Sequence, residues 1–119
     1  MIIKAGREYE VKCTLGTIKD IESRFNKPFY TLLSDVNKMT TTEQIRFLYV
    51  GVKRADPQIE EKEFAADCED NLGMGDLMEY LEQYVLALQF PGLSKEEVQK
   101  KLEKKLEQQN RAKSGLTGN

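Results

Sequence analysis

The sequence predicts an α+β fold, mainly α, in which an N-terminal β-hairpin packs on a cluster of about five to six helices and a charged C-terminal helix follows. Three observations predict it. Side chains alternate in polarity from Glu8 to Thr14, the apolar residues recur at about 3.6 positions from Leu15 onward, and proline, glycine and hydroxyl-led caps divide that helical stretch into short pieces. At 119 residues the chain has the length of one domain. A chain this long buries roughly two-thirds of its unfolded surface, so its core needs neither a disulfide nor a metal. The expected organisation is a globular α+β body over 1–93, a charged helix over 94–113 and a disordered tail over 114–119.

In the alternating stretch Tyr9, Val11 and Cys13 share one face and Glu8, Glu10, Lys12 and Thr14 the other, as in a half-buried strand. Residues 1–4 precede it across the turn Ala5-Gly6-Arg7, giving a hairpin in which Lys4 and Glu8 face each other. Two strands alone are marginal in water, so their apolar face must lie on helices. The first helix presents Leu15, Ile18, Ile21 and Phe25 after a cap at Thr14 or Thr17. It ends at Asn26, which tolerates the left-handed conformation, before Pro28. A short second helix over 29–36 offers Phe29, Leu32, Leu33 and Val36. Thr40-Thr41-Thr42-Glu43 has capping-box spacing and opens a third helix to about Lys53, with Ile45, Leu48, Tyr49 and Val52 apolar and Phe47 beside them.

Asp56-Pro57 marks a break, and 59–71 reads as an acidic fourth helix with a thin stripe of Phe64, Cys68 and Leu72. Gly73 and Gly75 mark a helix–helix turn. The fifth helix, 76–90, is the most apolar: Leu77, Leu81, Tyr84, Val85 and Leu88 line one face, and Met78, Tyr80 and Leu86 widen it. So wide a stripe belongs to a central helix or to one that also faces a partner. Pro91-Gly92 stops it, and Ser94-Lys95-Glu96-Glu97 repeats the capping-box pattern at the start of the last helix.

Twenty acidic against eighteen basic side chains leave a net charge of −2, which gives no general attraction to nucleic-acid backbones or anionic membranes. Without histidine the usual base near neutral pH is missing, and no spacing supplies a serine or cysteine nucleophile with a partner. The chain therefore reads as non-enzymatic and without a cofactor. Cys13 and Cys68 fall on apolar faces and read as reduced packing thiols. Asp67, Glu69 and Asn71 have the alternate spacing of the first calcium-loop ligands, but Leu72 stands where the sharp turn needs glycine and Met78 where the closing carboxylate belongs. No metal is expected. Gly73-Met74-Gly75 lacks the lysine and hydroxyl of a phosphate loop. A charge at Lys4 precedes any apolar run, and the longest apolar stretch, 84–88, falls far below the ~20 residues that span a bilayer. A cytoplasmic location off the membrane is expected.

Charge is unevenly placed. From Asp56 to Asp70 seven acidic residues accompany one lysine, and from Ser94 to Lys113 seven basic residues accompany four glutamates. These are either two solvated helix faces, the second aided by Glu96–Lys100 and Glu97–Lys101 pairs worth about 0.2–0.5 kcal/mol each, or complementary surfaces for association between copies or with another protein. The last helix has an apolar stripe of only Val98, Leu102 and Leu106, which either docks on the body or waits for a partner's helix.

The short first strand, the glycine turn at Gly6, the strand Glu8-Tyr9-Glu10-Val11-Lys12 and the run Thr14-Leu15-Gly16-Thr17-Ile18-Lys19-Asp20-Ile21-Glu22 resemble the tail assembly chaperones of long-tailed bacteriophages and prophages. The resemblance covers about Met1 to Leu106 as a pattern of residue classes; Asn26 stands where related sequences often have glycine. It implies a non-enzymatic chaperone that coats the helical tape measure protein, keeps it soluble and helps recruit tail tube protein around it, in the host cytoplasm and not in the mature virion. Many such proteins have a short form and a longer frameshifted form, and this chain corresponds to the short one. A partner with an apolar groove and a charged rim can cover the apolar stripes of such a client. Candidate contacts are Leu77, Leu81, Tyr84 and Leu88 with Val98, Leu102 and Leu106; the competing reading makes the fifth helix core. Other readings are a structural tail completion or connector protein, or a DNA-binding regulator using Arg46, Lys53 and Arg54, three cations beside Asp56 that make a thin basic face.

Overall fold

The computed structural model describes residues 1–90 together with Glu96, Glu97, Lys100, Glu103 and Lys104, which are helical and exposed. Two antiparallel strands, β1 (Ile2–Lys4) and β2 (Glu8–Glu10), are followed by the helices α1 (Leu15–Phe25), α2 (Phe29–Asp35), α3 (Thr41–Ala55), α4 (Glu61–Asn71) and α5 (Met74–Gln89), with a 3₁₀ turn at Val36–Lys38. The fold is thus α+β and mainly α. The expected tail at 114–119 and most of the helix at 94–113 lie outside the described residues.

The hairpin pairs Ile2 with Glu10, Ile3 with Tyr9 and Lys4 with Glu8 around Gly6, whose φ of 75° favours a residue without a Cβ. The strand is shorter than the alternation suggests. Beyond Glu10 the amide of Val11 donates to the Met1 carbonyl and that of Lys12 to the Gly51 carbonyl in α3, so the edge of β2 passes from its partner strand to a helix. Ile3, Ala5, Tyr9 and Val11 nevertheless alternate inward, and all are buried.

In α1 the face is set by Ile18, Ile21 and Phe25, and Leu15 does not join it: Leu15 is 80% exposed at the first helical position. Thr17, four residues before Ile21, is buried in its place. Its hydroxyl donates to the Lys12 carbonyl at 2.6 Å, which removes the penalty for burying it. Asn26 ends α1 with φ 53° and ψ 42°, the left-handed geometry expected there.

Helix α3 is the centre of the molecule and packs on α1, α4, α5 and β2. Its capping box forms as read: the Thr40 hydroxyl accepts from the Glu43 amide at 3.2 Å, and Glu43 accepts from the Thr40 amide at 3.2 Å. Phe47 meets the rings of Phe25 and Tyr84 edge-on, with centroids 6.0 and 5.2 Å away, and Phe64 meets Tyr9 at 5.0 Å. Gln44 is buried with its amide donating to the Val36 carbonyl at 2.9 Å.

Helix α5 begins earlier than its sequence suggests. Gly75 lies inside it, and the turn from α4 shrinks to Leu72-Gly73 because the Asp76 carboxylate accepts from the Gly73 amide at 2.9 Å and caps the helix there. Among the described residues no helix is long and apolar enough to cross a membrane.

Candidate functional site

The fifth-helix candidates Leu77, Leu81, Tyr84 and Leu88 are 4, 3, 0 and 3% exposed and belong to the core cluster. They help hold the body together. Val98, Leu102 and Leu106 lie outside the described residues.

What α5 does offer is at its first turn. Met74 is 58% exposed, at the edge of a groove of about 230 Å³ lined by Thr41, Ile45, Cys68, Glu69, Leu72, Gly73, Met74 and Leu77. Three elements build it. The first turns of α3 supply Thr41 and Ile45, the end of α4 supplies Cys68 and Glu69, and the tight Leu72-Gly73 connection brings Met74 and Leu77 against them. Leu77 alone of the four buried candidates reaches it. The groove is mainly hydrocarbon with a carboxylate at its margin, suited to an apolar side chain carried on a polar segment.

The acids of α4 are divided. Glu61 takes the Arg24 guanidinium at 2.7 Å and lies 3.4 Å from Arg46, Glu63 takes Arg7 at 2.6 Å, and Asp67 accepts from the buried Tyr9 hydroxyl. Burial and this hydrogen bond push the Tyr9 pKa well up. These contacts join α4 to the hairpin, α1 and α3. Glu69 and Asp70, in its last turn, are exposed, and neither makes an ion pair among the described residues.

The thiols are poorly suited to nucleophilic work. Burial raises Cys68 to about 12, with the neighbouring Asp67 and Glu69 charges adding, and raises Cys13 to about 11. Asp67, Glu69 and Asn71 sit on a helix, where alternate residues point about 200° apart; among the described residues no three metal-ligating groups come together. Of the cations considered for DNA, Arg46 is engaged by Glu61 and Arg54 by Asp20 at 2.8 Å.

A second depression of about 300 Å³ lies between α1, α2 and α3, lined by Phe25, Lys27, Leu32, Asp35, Lys38, Met39 and Glu43. Lys27 and Asp35 approach to 3.8 Å across it, so its charges answer each other. Compared with known protein families, curated proteins and solved structures, the chain matches none of them.

Sequence reasoning missed the groove because its lining comes from three elements and shows no periodicity. Met74 was the available signal: a large apolar residue between two glycines, where a turn would have left it uncovered.

Proposed function

We propose that this protein is a non-enzymatic tail assembly chaperone that binds the tape measure protein of a long-tailed phage, keeps it soluble and promotes tail tube assembly. The observation that carries the reading is the opening of the chain. The hairpin of β1 and β2 turns at Gly6 and runs directly into α1, the order of elements on which the resemblance rests. The groove at Met74 gives such a client a place to bury an apolar side chain, and the shared chemistry is hydrophobic cover with a polar rim.

Co-expression with the tape measure protein encoded beside it tests the reading. The client is expected to stay soluble and to co-elute with this chain in gel filtration; a client equally soluble without it overturns the proposal. Mass spectrometry of purified particles separates a chaperone, missing from them, from a structural tail completion or connector protein, which is retained.

A further inference from the structure

The depression between α1, α2 and α3 is made by helix ends. Asn26 turns the chain out of α1 in the left-handed conformation, Pro28 opens α2, and α2 stops after seven residues in the 3₁₀ turn. These breaks leave Phe25 and Met39 half-buried beside the buried Leu32. Hydrogen bonds fix the walls. The Gln44 amide donates to the Val36 carbonyl at 2.9 Å, the Phe29 amide to Glu22 at 2.9 Å and the Met39 amide to the Val36 carbonyl at 3.4 Å. A partner therefore meets a shape already formed, with no loop to order on binding.

The charges around this apolar floor do not all cancel. Lys27 faces Asp35 at 3.8 Å, and the Glu43 carboxylate accepts from the Thr40 amide at 3.2 Å and from its hydroxyl at 3.0 Å. Lys38 lines the same depression, is exposed, and makes no ion pair among the described residues. Both acids are engaged and one cation is left over. The sequence around it has the same bias, since 23–42 carries Arg24, Lys27 and Lys38 against Asp35 alone. Across the first turn of α3, where Thr41 and Ile45 face the Met74 groove, the exposed charges are instead Glu69 and Asp70. The two flanks of the α3 start thus differ in the sign they attract.

We propose that the α1–α2–α3 depression receives an amphipathic helix of another protein that carries a glutamate or aspartate one turn from a large apolar residue. The apolar side chain enters against Phe25, Leu32 and Met39, and the carboxylate meets Lys38. Residues three or four apart share a helix face, so one short helix presents both groups together. The inference goes beyond the client reading above and holds whichever protein supplies the helix.

Amide NMR of the full chain tests this by titration with two synthetic peptides of about four helical turns, one with a leucine stripe flanked by glutamates and one with the same stripe flanked by lysines. The glutamate peptide is expected to shift the amides of Phe25, Leu32, Lys38 and Met39 and to bind there about tenfold or more tightly than the lysine peptide, with the difference shrinking at high salt. Lys38→Glu should invert that preference. Lys38 is exposed, and unchanged amide signals away from the depression show that the variant folds. Peptides that leave these amides unmoved, equal binding of the two peptides, or a Lys38→Glu chain that keeps the original preference each overturn the proposal. So do shifts confined to the Met74 side, and shifts at the depression that grow with the concentration of the chain alone, which make the occupant a second copy.

Discussion

Two buried tyrosines show how differently one hydroxyl can act. Tyr9 donates to the Asp67 carboxylate, whereas the Tyr84 hydroxyl is enclosed without a hydrogen-bond partner among the described residues. Tyr9→Phe is expected to cost about 1–2 kcal/mol in chemical denaturation, and Tyr84→Phe to lie within about 0.5 kcal/mol of neutral or to stabilise. Glycines make a second contrast. A Cβ on Gly51 would come 2.6 Å from Val11 Cγ1 and 2.9 Å from Tyr84 Cε1, both in the packed core, while one on Gly75 meets nothing within 4 Å. Each sits inside a helix, where alanine gains up to about 1 kcal/mol. Gly75→Ala should therefore stabilise by about 0.5–1 kcal/mol, and at Gly51 overpacking of about 1–3 kcal/mol outweighs the gain, so the same change destabilises. The thiols set an alkaline limit. Cys13 and Cys68 are raised from 9.0 to about 11 and about 12, so the fold favours their protonated forms; that stabilisation is complete below pH 9 and is lost as the pH rises through 11 and 12. Melting temperature measured against pH is expected to fall above pH 9, and Cys68→Ala should flatten that fall.

Helix boundaries follow local chemistry where one residue type decides them and depart from it where a tertiary hydrogen bond intervenes. The Thr40–Glu43 box and Asn26 act through their own backbone neighbours, and both were legible in the sequence. Thr17 was not, because its burial depends on the Lys12 carbonyl delivered by the chain leaving the hairpin. The early start of α5 likewise depends on Asp76 reaching back to Gly73, which let Gly75 enter a helix it would ordinarily weaken. The acidic surplus of α4 was plain from composition; its division into bound and free carboxylates required knowing what faces it. Acid exposes the cap of α3. Contact with the Thr40 amide and hydroxyl lowers the Glu43 pKa from 4.5, so its contribution is present above that value and disappears as the pH falls through the lowered one. Glu43→Gln, which keeps a side-chain acceptor but loses the charge, should reduce the acid sensitivity of unfolding. A Thr40→Ala chain should lose about 1 kcal/mol at neutral pH.

At the scale of the whole molecule, the same helix must both complete the core and border the groove, and α5 separates the two tasks by position. Leu81, Tyr84 and Leu88 are enclosed farther along it, whereas Met74 stands at the open end and Leu77 touches both regions. Substitutions along α5 should therefore fail in two distinguishable ways. Leu81→Ala removes buried contacts and leaves a cavity, a loss of about 2–5 kcal/mol, large against the usual 5–15 kcal/mol of a domain. If the chain is the proposed chaperone, the effect of this substitution on capture of the tape measure protein should vanish under conditions that restore folding, such as lower temperature. Met74→Asp changes a side chain already 58% exposed, so the denaturation midpoint should hardly move. Client capture should nonetheless fall several-fold, because a carboxylate now occupies the margin where apolar surface must be covered. Pull-down of the client with each variant, read beside its denaturation curve, checks this. If Met74→Asp captures the client as well as the unmodified chain, the client binds elsewhere on the body and the groove has no part in holding it.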